Sequence, residues 1–138
     1  MQWTTEQESV INHTAGNLLV AAAAGSGKTA VLVQHVISRI MDPVDPVKLS
    51  EMVIMTFTEA AAQEMRDRIK AALEEKLREH LDSAELIREA GSIQNASIST
   101  IDAFCKHFIT ENYAAIDLDP GFRMGDQGEL RLLQGDIL

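Results

Sequence analysis

The sequence predicts an α/β domain, a parallel sheet with flanking helices, and three observations predict it. The continuous apolar run Leu18-Leu19-Val20-Ala21 leads into a glycine-rich loop and then a stretch with helical periodicity. The run Met52-Val53-Ile54-Met55-Thr56-Phe57 leads into a long helical stretch, and Ala96-Ser97-Ile98-Ser99-Thr100 leads into another. Continuous apolar strands suit a sheet buried on both faces. Strands alternating with helices imply right-handed crossovers between parallel strands.

Each element follows in order. Thr4 or Thr5 can cap a short helix reaching about His13, with Val10 and Ile11 inward. Gly16-Asn17 reads as a turn before the first buried strand, Leu18 to Ala21. After the glycine-rich loop, Leu32, Val33, Val36, Ile37 and Ile40 form one helical stripe. Pro43 and Pro46 break the chain before the second strand. The long helix runs from about Glu59 to His80 with Ala61, Met65, Ile69, Leu73 and Leu77 inward, and Arg66, Arg68 and Lys70 mostly outward. A short helix from about Ala84 to Ala90 is expected to end at Gly91 as its C-cap. Ile101, Phe104, Cys105, Phe108 and Ile109 make the stripe of the helix after the third strand. Beyond Asp117 the pattern weakens, with a turn at Asp119-Pro120-Gly121.

Composition bounds the function. The chain has 138 residues, 46% of them apolar and only 4% aromatic, enough for one modest core. Its net charge of −9 argues against a general nucleic-acid coat protein, though not against a motor that tracks one strand with few cations. The single cysteine, Cys105, excludes an intrachain disulfide and suits a reducing compartment. It lies on an apolar stripe and is expected to be an inert core thiol. No secretory signal and no membrane-length apolar run is read, so a cytoplasmic location without membrane contact is expected. His13, His35, His80 and His107 lack metal-ligand spacing and read most simply as surface or satisfied helix residues.

The chemistry begins at Ala22-Ala23-Ala24-Gly25-Ser26-Gly27-Lys28-Thr29. The pattern is that of a phosphate-binding loop, G-x-x-x-x-G-K-[ST], with Ala22 in place of the first glycine. Gly25 and Gly27 let the backbone turn tightly and bring its N–H groups against phosphate oxygens. The next helix directs its positive end at the same oxygens. Lys28 can neutralise the β and γ phosphates of ATP, and Thr29 can offer a hydroxyl to Mg²⁺. These residues are the expected ATP-binding set, with Lys28 and Thr29 serving the reaction. A small residue at position 22 is tolerable if its backbone angles are ordinary. The carboxyl ends of parallel strands share one edge, so the loop, Thr56-Phe57-Thr58 and Ser99-Thr100 are expected to open together.

Three further segments, with this loop, give the chain a resemblance to the N-terminal part of UvrD/Rep-type superfamily I DNA helicases, and most to the AddA (RexA) type of helicase–nuclease. Trp3-Thr4-Thr5-Glu6-Gln7 resembles the Q motif, which implies that Gln7 recognises adenine. On its own terms Gln7 reads either as a solvated helix residue or as a donor–acceptor matched to the adenine edge. Thr56-Phe57-Thr58-Glu59-Ala60-Ala61-Ala62-Gln63-Glu64-Met65 resembles motif Ia, T-F-T-N-K-A-A-x-E-M, which implies contact with single-stranded DNA through Thr56, Phe57 and Thr58. Here Glu59-Ala60 stands for Asn-Lys, losing a cation and adding an anion. Phe57 reads alternatively as a core residue at a strand end. Ser99 to Cys105 resembles motif Ib, T-x-H-S-F, leaving Thr100 as a phosphate contact and Phe104 as a packing residue. A rival reading makes Asp102 a Mg²⁺-directed acid.

The resemblance implies a partial RecA-like P-loop NTPase domain over residues 1–117, with 118–138 opening a further segment. It implies ATP and Mg²⁺ as cofactors, single- and double-stranded DNA as substrates, and an AddB-like protein as partner. No acidic pair after a buried strand and no arginine facing the γ-phosphate is read. The expectation is a piece of a longer motor that binds ATP, hydrolyses it slowly, and self-associates through an open sheet edge. Rival readings are a small-molecule kinase and a non-catalytic nucleotide-binding module.

Overall fold

The computed structural model describes residues 2–137. The chain forms two compact units, Met1–Phe104 and Cys105–Leu138. The first is α/β, with a small two-stranded parallel sheet and helices.

Helix α1 (Thr5–Ile11) starts where Thr4 caps it. The Thr4 hydroxyl accepts the Gln7 N–H at 3.3 Å, and the Gln7 side chain accepts the Thr4 N–H at 3.0 Å. This reciprocal box satisfies two donors that the first turn leaves orphaned. Gly16 then turns the chain at φ +79°.

Leu18 to Ala21 is not a strand. Residues 17–23 carry no ladder, and Leu19 is 95% exposed. A doubly buried strand needs a hydrogen-bonding neighbour, and among the described residues the two strands pair only with each other.

Helix α2 (Lys28–Ile40) buries Val31, Val33, Val36, Ile37 and Ile40. The predicted stripe is corrected at one position: Val31 turns inward and Leu32 stays exposed. After α2, Asp42 organises the two-proline break. Its carboxylate accepts the Val44 N–H at 2.9 Å and the Asp45 N–H at 3.0 Å, and pairs with Arg39 at 3.0 Å. The Asp45 N–H first, then the Val44 N–H, hold its carboxyl below the ordinary value.

Strands β1 (Val53–Thr56) and β2 (Ser97–Thr100) run parallel, with Val53 opposite Ser97 and Thr56 opposite Thr100. Of β1 only Ile54 is buried, whereas Val53 and Met55 are exposed, so this sheet has one covered face rather than two. Between them lie helices α3 (Glu59–Glu79) and α4 (Ala84–Ser92). Thr58 caps α3 through its hydroxyl, and Ser83 caps α4 in the same way. Ala62, rather than Ala61, joins Met65, Ile69 and Leu73 on the buried face of α3. Gly91 is not a left-handed cap. The helix runs through it to Ser92 and passes into a 3₁₀ turn, Ile93–Asn95.

Arg66 departs from the expected outward face. Its guanidinium donates to the carbonyls of Ile93 at 3.2 Å and Ile98 at 2.7 Å, pinning α3 to the approach and middle of β2. Glu89 is also an inward charge, 3% exposed, and its carboxylate accepts the Leu49 N–H at 2.8 Å. The core these groups surround contains Val36, Ile37, Ile40, Leu49, Ile54, Ile69, Leu73, Leu86 and Ile98. Burying each aliphatic side chain contributes roughly 1.5–3 kcal/mol before ordering entropy.

Helix α5 (Ile101–Asn112) starts in the first unit. Thr100 caps it, its hydroxyl accepting the Ala103 N–H at 3.1 Å. None of its residues is fully buried, and Cys105 is exposed, which corrects the reading of an inert core thiol. In the second unit a 3₁₀ turn, Tyr113–Ile116, ends at Asp117 in the left-handed region. Helix α6 (Gln127–Ile137) follows. Asp126 and Glu129 exchange backbone–side-chain hydrogen bonds at its start, and Arg123 pairs with Glu129. The guanidinium, then the Asp126 N–H, hold the Glu129 carboxyl below its ordinary value.

Candidate nucleotide site and nucleic-acid edge

The glycine-rich loop closes onto α2 with the backbone its glycines demand. Gly25 sits at φ +78° and Gly27 at φ +83°, where side chains are strained. At Gly25 an added Cβ would meet nothing within 4 Å, so conformation, not space, calls for glycine. Ala22 is not among the positive-φ residues, so an ordinary residue serves where the general pattern has glycine.

Gly27 is the N-cap of α2, and no side chain caps that end. No acid lies in the first turn. The orphan N–H groups and the positive end of a 13-residue helix are therefore left for an external anion. Lys28 folds back: its ammonium donates to the Ala22 carbonyl at 2.8 Å and the Ala23 carbonyl at 2.7 Å. The Ser26 N–H donates to Ala23 at 3.3 Å, tightening the same turn. A phosphate oxygen at this loop would compete with two neutral carbonyls for a cation, and charge-assisted contacts win that exchange.

Gln7 reaches the loop from α1. Its amide nitrogen donates to the Ser26 carbonyl at 3.2 Å while its oxygen holds the Thr4 N–H. One N–H and one lone pair of the amide remain for a further partner. Beside it opens a cavity of about 730 Å³, lined by Gln7, Ser26 and Lys28 and by the apolar side chains of Val10, Leu18, Val20 and Leu32. That volume lies within the range of small-molecule sites. Leu32, assigned to the core from periodicity, is a wall of this cavity instead. His13 and His35 also line it. His35 Nδ1 lies 2.9 Å from the Ile11 carbonyl, whereas His13 Nε2 is buried with no hydrogen-bond partner among the described residues. The reading of the histidines as surface or satisfied helix residues therefore fails at His13, which lies beyond α1 with a buried, unsatisfied nitrogen.

Thr29, half-buried in the first turn of α2, can give one oxygen to a Mg²⁺ ion. Among the described residues no group of three or more His, Cys, Asp or Glu could hold a metal. The residues present fit a Mg²⁺ that takes its other oxygens from water and nucleotide phosphates, as this ion usually does.

The second cluster stands at the carboxyl ends of β1 and β2, where register puts Thr56 opposite Thr100. Thr56 donates to the Thr58 carbonyl at 3.0 Å, closing a tight turn. That turn projects Phe57, which is 92% exposed, so the alternative of a core phenylalanine falls. The Thr58 hydroxyl accepts from Ala61 and keeps its own proton for another acceptor. Thr100 points inward at 8% exposure, donating to Glu59 Oε1 at 3.0 Å while capping α5. Thr56–Thr58 and Ser99–Thr100 thus share an edge as expected. The glycine-rich loop does not join it through the sheet, since its leading segment is unpaired.

The sequence comparisons agree with one another. Residues 3–138 match the family described as UvrD/REP helicase N-terminal domain. The chain is 50% identical over 137 residues to an "ATP-dependent helicase/nuclease" subunit of Clostridium perfringens, covering 99% of this chain and 11% of that protein. It is 48% identical over 136 residues to the same-named protein of Lachnoclostridium phytofermentans (99% and 10%), and 44% over 138 residues to that of Oceanobacillus iheyensis (100% and 11%). The chain spans about a tenth of the length of these relatives. No helix among the described residues is long and apolar enough to cross a membrane. By the extent of these matches, the chain belongs to the UvrD/REP helicase N-terminal domain family.

Proposed function

We propose that the chain is the ATP-binding portion of a DNA helicase of the AddA helicase/nuclease type. It is the N-terminal part of a RecA-like P-loop domain, residues 1–117, with 118–138 opening the next segment. ATP binds with its phosphates on the loop Ala22 to Thr29, its charge met by Lys28 and its Mg²⁺ by Thr29. Adenine lies in the apolar cavity against Gln7. In the whole protein, hydrolysis drives translocation on single-stranded DNA during double-strand break repair, with double-stranded DNA as substrate and an AddB-like protein as partner. Thr56, Phe57 and Thr58 meet the strand; Thr100, expected to contact phosphate, instead supports their edge from beneath, because it is buried and its hydroxyl donates to Glu59.

The observation that carries the nucleotide reading is the uncapped start of α2, with no acid in its first turn and Lys28 folded over two loop carbonyls. Membership of a helicase family favours a motor over a small-molecule kinase or a silent anion site. Calorimetry with Mg-ATP tests the proposal. Wild type binds, and Lys28→Ala weakens binding by roughly ten- to a hundredfold, the worth of a charge-assisted contact. Equal affinity in the two proteins would sink the assignment. Oligo-dT added to the same protein tests the edge, with binding expected to fall on Phe57→Ala.

A further inference from the structure

Glu59 departs from the pattern this segment resembles, and its surroundings say what it does. It is the first residue of α3, two positions after the exposed Phe57. Its carboxylate accepts the hydroxyl proton of Thr100, 41 residues away in sequence, at 3.0 Å. Thr100 is buried, and a buried hydroxyl needs a partner for its proton. With that proton committed to Glu59, the oxygen keeps a lone pair for the Ala103 N–H at 3.1 Å. One chain of bonds therefore links the first turn of α3 to the end of β2 and the cap of α5. Backbone pairing of Thr56 with Thr100 closes the loop from the other side, leaving the Phe57 turn held at both ends.

We propose that Glu59 is a positioning residue that acts through Thr100 to hold the 56–58 turn, and with it Phe57, against the end of β2. The role in strand binding rests on the reading of this edge as a DNA contact; the latch itself does not. The carboxylate works here as a hydrogen-bond acceptor, and its charge is a separate consequence. Neither Thr56 to Gln63 nor Ser97 to Cys105 contains a lysine or arginine, so nothing in these segments offsets the anion against an approaching phosphate. The latch gains position and gives up electrostatic attraction.

Two variants separate the two effects. Glu59→Gln keeps an acceptor oxygen and removes the charge; Glu59→Ala removes both. Exchange of the Ala103 amide, followed by mass spectrometry or NMR without DNA, reads the latch. Protection is expected unchanged in Glu59→Gln and reduced about fivefold in Glu59→Ala, the worth of one ordinary hydrogen bond. Thr100→Val combined with Glu59→Ala should add no loss beyond Thr100→Val alone. Oligo-dT anisotropy across a salt series reads the consequence. Glu59→Gln is expected to bind about twofold tighter than wild type at low salt, converging at high salt, and Glu59→Ala more weakly than Glu59→Gln at every salt. Unchanged Ala103 protection in Glu59→Ala, or equal loss in both variants, overturns the proposal. If wild type fails to bind oligo-dT, the DNA reading of the edge falls, while the exchange measurements still decide the latch.

Discussion

The side-chain amide of Gln7 donates to the Ser26 carbonyl at 3.2 Å, so α1 is fastened directly to the turn of the glycine-rich loop. The same amide closes the capping box with Thr4. Helix start and loop geometry therefore share one side chain. Gln7→Glu separates them, because a carboxylate still accepts the Thr4 N–H but can only repel the Ser26 carbonyl. Mg-ATP affinity is expected to fall about fivefold, with far-ultraviolet circular dichroism unchanged. Discrimination of ATP from GTP should fall with it if the remaining amide groups read adenine. An unchanged affinity would show that the loop does not need this tie.

Arg66 bridges the Ile93 and Ile98 carbonyls, and no shorter or single-headed cation spans both. Arg66→Met is expected to cost about 1.5–3 kcal/mol, measured as a lower urea midpoint. Arg66→Lys should recover only part of it. Full recovery by lysine would mean that charge, rather than the fork of two donors, holds α3 to β2.

Glu89 lies inside the core and its carboxylate satisfies the Leu49 N–H. Glu89→Ala leaves that buried donor unpaired and is expected to cost about 1–3 kcal/mol in urea unfolding. Glu89→Gln, which keeps the acceptor, should cost less. Equal losses would assign the effect to lost charge instead of a lost acceptor.

Asp42 makes the proline loop sensitive to acid. Its carboxyl is held below its ordinary value chiefly by the Asp45 and Val44 N–H groups. The folded pKa lies below the unfolded one, so the stabilisation is complete above the unfolded value of about 3.9 and is lost as pH falls through the folded value. The difference in urea midpoint between wild type and Asp42→Asn is therefore expected to shrink steadily below about pH 4. A gap that stays constant to lower pH would contradict this.

Local chemistry is readable wherever a few adjacent residues decide it. Thr4 with Gln7, Thr58 ahead of α3, and glycines where φ is positive are all contacts within a turn. The parallel pairing of the second and third predicted strands is also legible, because β-rich runs separated by helices leave little choice. Asp126 and Glu129 carry the same capping signal for α6, masked there by weak apolar periodicity. The features that periodicity misses need distant partners. Arg66 resembles any exposed helix arginine until the Ile93 and Ile98 carbonyls come within reach. Leu32 fits the core stripe until the cavity beside Gln7 shows which side of α2 is covered.

The glycine-rich turn, the Thr4 cap and, through motif spacing, the helicase resemblance were legible in the chain alone. Each rests on short-range sterics or hydrogen bonds among neighbours in the chain. Only the tertiary structure decided that Leu18 to Ala21 carries no ladder, that Phe57 faces solvent, and that Thr100 gives its proton to Glu59. Hydrophobicity says that a segment can be buried, but a neighbour's backbone must be present to pair with it. A hydroxyl's partner is likewise set by what packing brings within about 3 Å, and no local pattern encodes that.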